Sequence, residues 1–182
     1  MVLCPFCGAE EIDGADVCQQ CQQPLDDLTD PQPSTDLERF LVRDKVYMLE
    51  PRKPVTVAAH TPVANVLRTL YDRRLGCVMV LEDEELVGIF SERDALLRLN
   101  TDYAALRHRP IAEFMTPSPE TVESDASIAF ALHKMDVGGY RHLPVTADGK
   151  LVGLISIRDI FRYITDRLPG VQQPPAAAGQ GP

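Results

Sequence analysis

The chain has 182 residues, 45% of them apolar and 25% charged, which is the composition of a globular protein with one ordinary core and a small appendage. The first 35 positions hold seven acidic residues and no Lys or Arg, the remainder holds 18 basic against 20 acidic, and the net charge is −9. Phosphate backbones repel so acidic a chain, which speaks against a nucleic-acid partner, and no run of about 18 apolar residues is present to cross a bilayer. The opening MVLCPFCGAEE lacks the basic and apolar regions of a secretion signal, so a cytoplasmic setting is expected.

Residues 1–25 carry two Cys-x-x-Cys pairs, Cys4/Cys7 and Cys18/Cys21, with ten residues between them. Each pair can fold as a knuckle that aims two thiolates at one ion, and two knuckles complete a tetrahedral site. Gly8 supplies the permissive backbone that such a turn needs. Zinc is the expected metal, in a structural role, although a rubredoxin-like iron site uses the same four thiolates. The segment is similar to the short zinc ribbons worded CPxCG, spacer, aromatic, CxxCG. Val17 stands here for the aromatic and Gln22 for the second glycine.

Residues 26–39 are expected to be a linker, because PLDDLTDPQPSTD at 24–36 is rich in Pro, Asp, Ser and Thr and has no apolar period. Residues 169–182, without charge or aromatic side chains, are expected to be a disordered tail.

Between them the chain repeats itself. LVGIFSERDALLRL at 86–99 matches LVGLISIRDIFRYI at 151–164, an offset of 65 that also aligns Val80 with Val145, Leu67 with Leu132 and Thr56-Val57 with Thr121-Val122. A constant offset means two copies of one structural unit. In the first copy, residues 40–104, a short strand at Val55–Val57 precedes a helix started by Thr61 and Pro62. Its residues Val63, Val66, Leu67, Leu70 and Leu75 make an apolar face. Strand-like CVMVLE, an acidic turn at Glu82–Glu85, strand-like LVGIF and a Ser91-led helix follow. The second copy, residues 105–168, repeats this order, with an Asp148-Gly149 hairpin turn.

Two β-α-β-β-α units in tandem, with RHLPV at 141–145, GLISIRD at 153–159 and EFMTPSPETV at 113–122, resemble a cystathionine-β-synthase (CBS) domain pair. The fold class expected is therefore α/β (α+β), a pseudo-twofold CBS pair plus the zinc ribbon. The resemblance implies two clefts that bind adenosine nucleotides of the AMP, ADP or ATP kind, or S-adenosylmethionine. It also implies a homodimer, a protein partner that receives the ligand state, and no catalysis.

Adenosine needs apolar walls for the base, an acceptor for the ribose diol, and donors or positive charge for phosphate. Asp94 and Asp159 match the family's ribose aspartate, and an ionised carboxylate can accept from both hydroxyls. Ser91 and Ser156 stand at helix starts, where a hydroxyl and free N–H groups can face phosphate. Val57, Val122 and the strands with Val78, Met79, Leu143 and Pro144 would enclose the base, beside Thr56 and Thr121. Arg141, His142 and Arg158 are candidates for phosphate, and Gly76-Cys77 stands where the second copy has Arg141-His142. The Ser156/Asp159 cleft is therefore expected to bind phosphate better. Two alternatives stand beside these assignments: Ser-x-x-Asp is also a helix-capping box, and the whole chain could be a ligand-free dimerisation module.

Overall fold

A computed structural model describes residues 2–4, 7–12, 15, 17–23, 25, 35–99 and 102–167. Linker residues 26–34 and the expected tail at 169–182 lie outside them. In the ribbon, β1 (Val2–Leu3) pairs antiparallel with β2 (Glu10–Glu11). The segment expected to be linker as far as residue 39 turns helical at α1 (Asp36–Arg43). Thr35 starts it with a capping box: its hydroxyl accepts from the Glu38 N–H at 3.2 Å, and its own N–H donates to the Glu38 carboxylate at 3.3 Å. A 3₁₀ turn, Val46–Leu49, follows.

The first unit comprises β3 (Thr56–Ala58), α2 (Val63–Arg73), β4 (Cys77–Glu82), β5 (Glu85–Ser91) and α3 (Glu92–Arg98). Pro62 is the N-cap of α2 rather than its first residue, and Leu75 lies past its end because Arg74 adopts φ 52° and closes the helix. After α4 (Tyr103–Leu106), a 3₁₀ turn at Ile111–Glu113 and β6 (Thr116–Pro117) comes the second unit. It comprises β7 (Val122–Glu123), α5 (Ile128–Gly138), β8 (His142–Ala147), β9 (Lys150–Ser156) and α6 (Ile157–Arg167). Both hairpins turn through two left-handed residues, Asp83-Glu84 and Asp148-Gly149.

The sheets run β3-β4-β5-β6 and β7-β8-β9, each with a parallel first pair and an antiparallel hairpin. The lead-in to each unit pairs with the sheet of the other. β6 adds to β5 through Ile89↔Thr116 and Gly88↔Pro117, while Arg52, ahead of the first unit, bridges Leu154 of β9. The cores repeat this exchange. Val63, Val66, Val78, Val80 and Phe90 pack with Ile111 and Phe114 from the connection to the second unit. Ile128, Met135, Leu143, Val145 and Ile155 pack with Val46 and Leu49 from the connection to the first. Each fully buried side chain of this size stabilises by about 1.5–3 kcal/mol, so the exchange ties the units into one pseudo-twofold body.

Candidate ligand clefts and metal centre

Strand alternation decides which residues can reach a ligand. Val78 and Val80 face the first core, so Cys77 and Met79 face the other way, opposite Ser91 and Ile89 in register. In β8, Leu143 and Val145 face the second core, leaving His142 and Pro144 on the face that holds Ser156 and Leu154. Of the residues expected to enclose a base, Val57, Val78, Val122 and Leu143 pack in the cores, whereas Met79 and Pro144 occupy the other face of their strands. Thr56 is exposed and Thr121 half-buried at the starts of their segments.

Each serine ends a strand and begins a helix, and its aspartate folds back onto it. Asp94 Oδ2 accepts from the Ser91 N–H at 2.9 Å and hydroxyl at 2.6 Å, and the Asp94 N–H donates to Ser91 Oγ at 3.2 Å. Asp159 Oδ2 accepts from the Ser156 N–H at 2.8 Å and hydroxyl at 2.6 Å. The full capping box is therefore present in the first copy, and its carboxylate half, the aspartate accepting from the serine N–H, in the second. The first free N–H groups of the helices are taken by matching carbonyls: Glu92 donates to Gly76 and Ile157 to Arg141, each at 3.0 Å.

The two aspartates differ in their cations. Thr116 Oγ1 donates to Asp94 Oδ1 at 3.2 Å, and the Arg98 guanidinium lies 3.4 Å away while also donating to the Phe114 carbonyl. Asp159 receives Arg162 on Oδ1 at 3.2 Å and Arg52 on Oδ2 at 3.0 Å; Arg52 also donates to Ser156 Oγ at 3.3 Å. Burial alone would raise the Asp159 carboxyl, but the Ser156 hydrogen bonds and the Arg52 charge outweigh it and hold it below its ordinary value. Sequence reasoning missed Arg52, which lies 104 residues from Ser156 in a Pro-flanked stretch without periodicity.

Arg141 and Arg158 are exposed, and His142 is half-buried. Burial, with the Arg52 and Arg158 charges added, lowers the His142 imidazole below its usual pKa, against the opposing pull of Asp159 and Glu92. Cys77, buried on the same face, is pushed up to about 12 by burial and behaves as a small core residue.

In the ribbon the sulfur atoms of Cys4, Cys7, Cys18 and Cys21 lie within 4.8 Å of one another, with Cys4–Cys21 and Cys7–Cys18 each at 3.6 Å. Four thiolates at about 2.3 Å from a tetrahedral ion stand about 3.8 Å apart, so the donor set fits such a metal. Gly8 at φ 76° and Gln22 at φ 58° close the two knuckles alike, donating to the Cys4 carbonyl at 2.9 Å and the Cys18 carbonyl at 2.8 Å. Gln22 thus adopts the conformation of the glycine it replaces. Burial and the neighbouring Glu11 carboxylate push the Cys18 thiol up to about 11, a cost that a bound cation reverses. Gln23 Nε2 lies 2.9 Å from the His133 ring nitrogens and holds the ribbon against α5. A groove of about 920 Å³ opens between Cys7, Gly8 and Cys21 on one side and Thr121, Phe130 and Lys134 on the other.

The family model for the CBS domain matches residues 43–101 and 111–166. An uncharacterized 17.7 kDa protein of Acidianus ambivalens is 31% identical over 125 residues, covering 67% of this chain and 74% of that one. The CBS-domain protein ATU1752 of Agrobacterium tumefaciens superposes with a TM-score of 0.62 at 28% identity, over 65% of this chain and 98% of the other. CBSX2, solved in complex with AMP, superposes at 0.55 and 28% identity, over 64% and 91%. Of the Arabidopsis thaliana relatives the chain spans 26% of the length or less.

Proposed function

The chain belongs to the CBS-domain family, and from that premise we propose that it is a regulatory module that senses an adenine nucleotide in the Ser156/Asp159 cleft, the Ser91/Asp94 cleft, or both. The observation that carries this reading is the buried Asp159 carboxylate, held ionised beside Ser156 on the outer face of β8-β9, in a fold that superposes on an AMP-bound relative. An acceptor-only group so placed matches a ribose diol, and the surrounding arginines match phosphate. The Ser156 hydroxyl is engaged by Asp159 with no base between them, which favours binding over catalysis.

The ribbon holds zinc through Cys4, Cys7, Cys18 and Cys21 and serves as a rigid surface for a protein partner; elemental analysis reporting iron instead would overturn the metal assignment. Thiols kept for a metal fit the reducing cytoplasm, and among the described residues no helix is long and apolar enough to cross a membrane. Exposed Leu96 on α3 and Phe161 at the matching place on α6 support a homodimer through these helices. Light scattering that finds a monomer at working concentration, or a dimer unaffected by Leu96→Glu with Phe161→Glu, would overturn that assembly.

The nucleotide reading is tested by thermal shift with AMP, ADP, ATP and S-adenosylmethionine. At least one should raise the Tm, and Asp159→Ala should abolish the rise. A chain indifferent to all four at millimolar concentration would be a ligand-free interaction module.

A further inference from the structure

Arg52 lies in the lead-in before β3, outside the Ser-x-x-Asp motifs of the clefts, yet it makes the closest cationic contact to Asp159. Its backbone is fixed: Arg52 N–H donates to the Leu154 carbonyl at 3.1 Å, and Leu154 N–H donates back to the Arg52 carbonyl at 2.9 Å. Next to it, Pro51 lies so close over Gly153 that a Cβ there would stand 2.5 Å from the proline Cβ, so the strand cannot slide. The side chain is under no such constraint. It is 63% exposed, whereas the Asp159 side chain is 7% exposed. The cation can leave; the carboxylate cannot.

A carboxylate offers about four lone-pair sites. On Asp159 they meet the Ser156 N–H, the Ser156 hydroxyl, Arg52 and Arg162. Three of these donors, the two from Ser156 and Arg52, crowd Oδ2, while Arg162 alone sits on Oδ1, so a ribose diol that engages both carboxylate oxygens displaces Arg52 from Oδ2. Once displaced, the Arg52 head remains tethered beside the cleft and needs a new anion. A 5′-phosphate on the same ligand provides one. Arg158 and Arg162 stand near it, three guanidinium groups in all against the Asp159 and Glu92 carboxylates. The positive balance disfavours a cationic 5′ substituent.

The first cleft lacks this device. In the sheet, Thr116 occupies the place of Arg52, pairing with Ile89 as Arg52 pairs with Leu154, so Asp94 is met there by an uncharged hydroxyl and by Arg98 from its own helix.

We propose that Arg52 selects the ligand of the Ser156/Asp159 cleft by charge. It covers the ribose acceptor in the free protein and re-pairs with phosphate in the complex, so the cleft takes an adenosine 5′-phosphate in preference to an adenosine with a neutral or sulfonium 5′ group. This rests on the nucleotide-sensing reading above.

The test titrates AMP, 5′-methylthioadenosine and S-adenosylmethionine by calorimetry against the full chain and against Arg52→Ala, Arg52→Lys and Asp159→Asn. AMP should bind the wild type at least tenfold tighter than the other two. Arg52→Ala should weaken AMP about tenfold while leaving methylthioadenosine unchanged or tighter, because its competitor for Asp159 is gone. Arg52→Lys should retain part of the preference. If Arg52→Ala changes all three ligands by the same factor, or none, while Asp159→Asn weakens them, the charge-selection role is wrong and nucleotide sensing stands. If no ligand binds any form, both fall.

Discussion

The imidazole of His142 lies over Gly76, with Nε2 2.8 Å and Cε1 2.9 Å from where a Cβ on Gly76 would be. Gly76 immediately precedes β4 and His142 begins β8, so this contact joins the two units. Gly76→Ala should force the ring aside and destabilise the chain by about 1–3 kcal/mol in urea unfolding. His142→Ala in the same chain should recover most of that loss, since the clash needs both groups. Additive losses would show that the ring does not cover Gly76.

The same ring sets a pH dependence. Burial lowers the folded-state pKa of His142 below its unfolded value of 6.5, so the unfolded chain binds the extra proton first. Stability from this residue is full above about pH 6.5 and falls as pH drops toward the folded pKa, by at most about 1.4 kcal/mol per pH unit. His142→Asn should flatten the profile between pH 6.5 and 5. An unchanged slope would mean that the imidazole charges in place.

Gln22 adopts φ 58° where the first knuckle uses Gly8 at φ 76°. A left-handed non-glycine residue costs about 1–2 kcal/mol, so Gln22→Gly should slow metal loss to a chelator several-fold, read by a zinc-sensitive dye. An equal or faster loss would show that the second knuckle is not strained.

The Tyr163 hydroxyl donates to Asp44 Oδ2 at 2.5 Å, and the Arg167 guanidinium sits 3.5 Å above the ring centroid. Asp44 also accepts the Ile128 N–H on its carbonyl at 2.9 Å, so one residue ties the lead-in of the first unit to α5 and α6 of the second. Tyr163→Phe should cost about 1.5–3 kcal/mol in thermal or denaturant unfolding, as a hydrogen bond to a charged acceptor. A loss under about 0.5 kcal/mol would show that the Ile128–Asp44 backbone bond and the packing of Val46 and Leu49 hold the lead-in without this contact.

The repeat was legible because each unit carries its own strong periods. β4 is Cys77–Glu82 as the sequence implies, and α5 ends at Gly138 with Gly139 at φ 65° closing it. The facing of β4 was not legible, because Cys77, Val78, Met79 and Val80 are all apolar and all buried, so alternation leaves no mark on composition. The strand exchange was hidden for a different reason. β6 and the Arg52 bridge are two residues and one residue long, and their pairing is fixed by the other unit rather than by local propensity. Arg52 escaped with them. A signal for α1 did exist in Thr35-x-x-Glu38, but it sits directly after PQPS, where linker composition outweighed it.

The most direct test of nucleotide sensing is calorimetric titration of AMP into the full chain and into Asp159→Ala. Saturable binding to the wild type that is lost in the variant, with the variant's fold retained by circular dichroism, is the expected result. No saturable binding at millimolar AMP, or equal binding by both proteins, would contradict the role assigned to the Ser156/Asp159 cleft.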